Sequence, residues 1–168
     1  VIGTDIQPYA IERFRKFGGK SVASIEEVMK KADVVIATTG QPGLITPEMV
    51  RKGQVILALS NPYPEISIAD ALRAGASFAS DGSRVNNLLG YPGILKGAVE
   101  ARATRMVPEM YVAAAEAIVR QTPEKELVPD PLDPLLHDRV AKSVAEAAIR
   151  AGVAQIPSDE EEEREIVT

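Results

Sequence analysis

The sequence has no cysteine and no tryptophan, and only one histidine. The missing cysteines exclude a disulfide framework and any thiolate chemistry or ligation. This fits a cytoplasmic protein. Aromatic residues make up only 4% of the chain, so alanine, valine and isoleucine must supply the interior. No apolar run approaches the roughly 20 residues that span a bilayer, and no signal peptide is expected, because the chain opens directly on "VIGTD". Cations are in the minority: the net charge is -5 with no basic stripe, which argues against nucleic acid as a partner. Neither membrane nor nucleic acid is therefore expected to engage this chain.

What is present describes a globular α/β protein. The 168 residues amount to about one domain, and 45% hydrophobic with 26% charged residues is enough apolar content for one core. "VIGTD" reads as a short buried strand. Pro8 suits a first helical position, and "YAIERFRKF" continues at helical spacing to Gly18-Gly19. "KSV" is a second short strand. Ser24 and Glu27 form a capping box that opens a helix running through Lys31. "ADVVIATTG" and "QVILALS" are continuous apolar strands, buried on both faces. Thr46-Pro47 opens a short helix, Ser67 caps "IADALRAGA", and "SFAS" is a last weak strand.

Two helices with small-residue faces are expected from Gly93 to Gln121, broken near Val107-Pro108. "TPEKELVPDPLDP" reads as a proline-rich loop, since each proline removes a backbone donor. His137 to Ala151 reads as a final amphipathic helix. "SDEEEERE" is a like-charge block, expected to be a solvated, disordered tail, so the expected boundaries are a domain over 1–154 and a tail over 155–168.

Strands alternating with short helices imply βαβ units and a parallel sheet, a doubly wound Rossmann-like fold with helices on both faces and a helical C-terminal part. Ligands bind such sheets beyond the carboxyl ends of the strands. The residues to weigh are therefore Asp5, Thr38 to Gly43, Ser60 to Glu65 and Ser80 to Asn87. An acid such as Asp5 can accept hydrogen bonds from ribose hydroxyls and repel a 2′-phosphate, which favours NAD over NADP, or it can cap the next helix. The glycine turn that should precede it by about 20 residues is absent. The first βα unit is therefore expected to lie outside this chain, with the middle of the sheet missing. "TTGQPG" lets a flat ligand approach the backbone or is an ordinary tight connection. Asn61 offers amide donors and an acceptor beside two stiffening prolines, or turns the chain. Asn86 and Asn87, in tandem before a glycine-rich helix entry, are polar groups aimed at a ligand or a turn residue and an N-cap.

The stretches "ITPEMV", "ILALSNPYPEI", "NNLLGYPGILKGAVEARATRM" and "LVPDPLDP…VAKSVAEAAIRAGVA" together resemble the C-terminal part of malic enzyme, from about Val1 to Ala154. The resemblance implies oxidative decarboxylation of malate to pyruvate and CO2 with NAD, or NADP, and a divalent Mg or Mn ion. It places Asn61 and Asn87 at the substrate. It places Asp5, Ile6, Thr38, Thr39, Gly40, Asn61 and Asn86 along the cofactor. It also implies that the catalytic tyrosine and lysine, the acidic metal ligands and a catalytic domain lie upstream of residue 1. This chain would then hold no catalytic or metal residue and would be inactive alone. Tyr9, Tyr63, Tyr91 and Lys96 match none of those motifs. A homo-oligomer is expected on the same ground. Two rival readings are the NAD-binding domain of another dehydrogenase and a nucleotide-sensing regulatory module.

Overall fold

The structure is a computed structural model, and it describes residues 1–124 and 126–155. The acidic block expected to form a disordered tail lies outside the described residues. The chain divides into two compact units, Val1–Asn86 and Asn87–Thr168.

The first unit contains all the strands. β1 (Ile2–Gly3) and β2 (Lys20–Ser21) pair in parallel around α1 (Pro8–Lys16). Pro8 occupies the first turn of α1, where its missing N–H costs nothing. The ring of Phe14 fills the space that a Cβ on Gly19 would need, which seats α1 on this small sheet. The second sheet is β3 (Val34–Ala37), β4 (Val55–Ala58) and β5 (Phe78–Asp81), parallel and in that order. The connections are α2 (Ile25–Lys31), a single 3₁₀ turn at Pro47–Met49, and α3 (Ile68–Arg73).

The capping signals in the sequence were informative. The Ser24 hydroxyl accepts from the Glu27 N–H, and the Glu27 carboxylate accepts in return from the Ala23 N–H, one residue before the N-cap. Ser67 accepts from the Asp70 N–H at the head of α3. Thr46 does not act as expected: its side chain makes no capping bond, and its helix is one 3₁₀ turn.

The parallel strands with flanking helices are Rossmann-like, and the sheet is divided in two. Among the described residues, β1–β2 and β3–β4–β5 are separate sheets. In the order 3-2-1-4-5-6 the first strand would stand between these two groups, so the division falls where the sequence reading leaves a gap. Alternate residues also differ in burial. Val35 and Ala37 pair with Ile56 and Ala58 on the face covered by Met29, Ile45 and Ala71. Val34 and Ile36, on the opposite face, remain 57% and 65% exposed. β3 is therefore covered on one face only, not on both.

The second unit is helical: α4 (Tyr91–Glu100), α5 (Pro108–Gln121) and α6 (Pro134–Arg150). α4 begins two residues before Gly93. α6 starts at Pro134, inside the proline-rich segment, because Asp133 accepts from the Leu135 N–H and Pro134 can occupy the first turn. His137 is thus within the first turn of α6, not at its start. The core is made of Leu136, Val140 and Val144 from α6 against Met110, Ala113, Ala114 and Ala117 from α5.

The glycines of "GYPGILKGA" explain how α4 joins this core. A Cβ on Gly93 would lie 2.7 Å from the Val140 side chain, and one on Gly97 would lie 2.3 Å from the Ala141 carbonyl oxygen. Spaced four apart, both glycines face α6 and let the two backbones nearly touch. The glycine-rich helix entry that follows Asn86 and Asn87 is a helix-packing device.

Candidate functional site

The carboxyl ends of β3 and β4 each run into a loop. The loop after β3 holds Thr38, Thr39 and Gly40, and the loop after β4 holds Ser60 and Asn61. Their arrangement is set by Glu65, which is fully buried. One carboxylate oxygen accepts from the Thr39 N–H at 2.6 Å, from the Thr39 hydroxyl at 2.8 Å and from the Ser60 hydroxyl at 2.6 Å. The other accepts a long bond from the Ser60 N–H at 3.5 Å. The Ser60 oxygen accepts in turn from the Gly40 N–H at 2.8 Å. Backbone bonds join the same loops: the Gly43 N–H donates to the Pro64 carbonyl and the Ile45 N–H to the Glu65 carbonyl.

Burial pushes the Glu65 carboxyl up, but the Ser60 and Thr39 donors outweigh it and hold the group below the ordinary carboxyl value. Glu65 is therefore an anion that accepts hydrogen bonds from neutral donors. Sequence reasoning placed it within a strand-end loop but gave it no role. The available signal was an acid standing immediately before the buried Ile66.

The network decides what the expected cofactor residues can offer. The donors of Thr39 and Gly40 point inward to Glu65 and Ser60, so they shape the loop. Thr38 is exposed, and a Cβ on Gly40, which has φ +69°, would meet nothing within 4 Å. The surface of this loop is thus open to a flat ligand.

Asn61 follows directly, joined to Pro62 by a cis peptide bond. Its Nδ2 donates to the Gly82 carbonyl at 3.1 Å. That partner fixes which end of the amide is nitrogen, leaving one N–H and the carbonyl oxygen for a ligand. Gly82 must lack a side chain for this: a Cβ there would fall 2.4 Å from the Leu59 carbonyl and 2.7 Å from the Asn61 nitrogen.

Asp5 stands just beyond β1, exposed, with one oxygen accepting from the Gln7 N–H at 2.7 Å. It helps turn the chain into α1 and keeps a second oxygen for a ligand. Ile6 beside it is 90% exposed. Asn86 donates to the Ser83 carbonyl at 3.4 Å. Asn87 is exposed in a 3₁₀ turn (Asn87–Leu89). It does not cap α4, which is entered through Gly90 with no side-chain cap. Asp5, Ile6, Thr38 to Gly40, Asn61 and Asn86 thus belong to the first unit, and Asn87 to the second. Among the described residues, no group of three or more His, Cys, Asp or Glu side chains could hold a metal ion. Nor is any helix long and apolar enough to cross a membrane.

Parallel strands alternating with helices, with open loops at their carboxyl ends, place the chain in the α/β class whose ligands bind at such loops. The family model described as malic enzyme, NAD binding domain, matches residues 4–154. The chain therefore belongs to the malic enzyme NAD-binding domain family.

It is 54% identical over 151 residues to "NAD-dependent malic enzyme 1" of Bacillus subtilis, covering 90% of this chain and 34% of that protein. It is 33% identical to the NADP-dependent malic enzyme of Escherichia coli, covering 80% of this chain and 21% of that one. Among solved structures, the malic enzyme of Pyrococcus horikoshii superposes with a TM-score of 0.72 at 36% identity, over 83% of this chain and 35% of that one. The chain spans about a third of the length of the Bacillus subtilis relative.

Proposed function

We propose that this chain is the NAD-binding part of a malic enzyme that oxidatively decarboxylates malate to pyruvate and CO2. The observation that carries this reading is the Asn61 amide. It is held at the carboxyl end of β4 by the Gly82 carbonyl, with one N–H and its oxygen still open. A neutral amide orients the hydroxyl and carboxylate of a small dicarboxylate without adding charge.

In this reading Asn87 is the second substrate contact, and Asn86, Thr38, Thr39 and Gly40 follow the cofactor. The open oxygen of Asp5 accepts from the ribose, and Ile6 flanks it. A carboxylate at that point favours NAD over NADP, although relatives of both kinds are similar to this chain. The bound nicotinamide supplies the hydride acceptor. The residues of this chain bind, orient and shape the site around it. The catalytic tyrosine and lysine, and the ligands of a Mg or Mn ion, belong in this reading to a catalytic domain upstream. The same reading includes a homo-oligomer and a cytoplasmic location.

The test is made in the full-length protein with malate, NAD and Mn. NADH should form with malate, whereas the 168-residue segment alone should form none. Asn87→Ala should raise the KM for malate about tenfold or more, as expected for one lost hydrogen bond to a charged group, with NAD affinity retained. An unchanged malate response would instead favour a nucleotide sensor.

A further inference from the structure

Glu65 is the only buried charged side chain among the described residues, at 0% exposure. Its bonding partners in the two loops are neutral donors. With no exposed surface it meets no ligand directly. It does, however, bind the loop after β3 to the loop after β4, through Thr39 on one side and Ser60 on the other. Ser60 is the residue before Asn61 and also receives the Gly40 N–H. An acceptor-only group is required at this point, because each partner presents a hydrogen. A carboxamide's single oxygen would have to serve the Thr39 N–H and both hydroxyls, while its NH₂ would face the Ser60 N–H.

We propose that Glu65 is a positioning residue for malate oxidation: its carboxylate locks the two loops in the register at which Asn61 meets the substrate. This rests on the malic-enzyme reading of the site. A reacting group misplaced by about 1 Å can lose on the order of a hundredfold in rate, so a carboxylate that never touches the substrate can still control turnover. The adenosine end of the cofactor, at Asp5, stands on the other sheet and should feel little of the change.

The experiment compares Glu65→Gln, Glu65→Asp and Thr39→Val in the full-length protein. Glu65→Gln keeps the volume but adds donors, and Glu65→Asp keeps an acceptor-only anion but leaves a gap. If Glu65 positions the loops, Glu65→Gln should lower kcat for malate by more than about tenfold, a larger change than in NAD affinity. Glu65→Asp should then retain more activity than Glu65→Gln. A residue that merely fills space gives the opposite order, and that result would overturn the proposal, as would a Glu65→Gln enzyme with normal kcat. Thr39→Val removes one hydroxyl donor at an exposed position, where no core packing is lost. It should lower kcat several-fold, and an unaltered kcat counts against the proposal.

Hydrogen exchange separates failure of this inference from failure of the functional reading. The Thr39 and Gly40 amides should be slow to exchange in the unaltered protein and fast in Glu65→Gln, whether or not malate is a substrate. Amides that stay protected in Glu65→Gln overturn the clamp itself. Lost protection in a protein that never oxidises malate removes the catalytic reading.

Discussion

The two units of this chain meet the scarcity of aromatic residues in different ways. The helical unit packs small side chains until backbones nearly touch: Gly93 and Gly97 of α4 lie against Val140 and the Ala141 carbonyl of α6, over alanines of α5. Its core holds no buried charged residue among those described. The stranded unit covers one face of β3–β4–β5 with aliphatic side chains and then buries a carboxylate at the ends of its strands. The first arrangement gains its stability from contact and tolerates no added volume. The second gives up some apolar packing to fix the shape of two ligand loops. Close packing builds a rigid block, whereas a satisfied buried anion fixes the relation between two segments distant in sequence.

The contrast is broken most severely by adding volume to the helical unit. Gly97→Val would drive its Cβ into the Ala141 carbonyl, where no flexible side chain can give way. A loss of about 3 kcal/mol is expected, measured by urea unfolding of the full-length protein. Gly40→Ala in the stranded unit, where a Cβ meets open space, should cost only the strain of a positive φ, about 1 kcal/mol. Equal losses at the two sites would dissolve the distinction.

The next effect is the acid sensitivity of the stranded unit. Glu65 has a folded pKa below its ordinary value of 4.5. Its contribution is therefore complete above that value and is lost as pH falls through the lower folded value. Glu65→Gln should cost about 1 to 3 kcal/mol at neutral pH, the range for leaving buried donors without an acceptor. The gap from the unaltered protein should close on acidification. A gap that widens in acid would reverse the assigned sign. The smallest effect belongs to the exposed bridge at 2.7 Å between Lys96 of α4 and Asp138 of α6. Asp138→Asn should leave the unfolding midpoint within measurement scatter, since exposed ion pairs contribute little. A clear shift would show that charge as well as packing joins these helices.

Much of this architecture was legible in the chain itself. Local signals act over a few residues, which is why Ser24 with Glu27, Ser67 and Pro8 marked helix starts that the structure repeats. Thr46 failed because a preferred residue type does not ensure that its hydroxyl reaches a backbone N–H. Asp133 was overlooked because its prolines were read as breakers, when Pro134 is tolerated in a first turn. The loops at Thr38 to Gly40 and Ser60 to Asn61 could be located as strand ends. Their inward bonds to Glu65 could not be read, because residues 39 and 65 are brought together only by the pairing of β3 with β4.

The order of chain segments, the apolar strands, the helix caps and the family motifs are properties of short windows, and sequence alone determined them. Tertiary structure decided which side chains carry the work: it turned the glycines of α4 toward α6 and gathered Thr39 and Ser60 onto Glu65. The physical reason is that burial and hydrogen-bond partnership are relations between distant residues, and only the folded chain sets those distances.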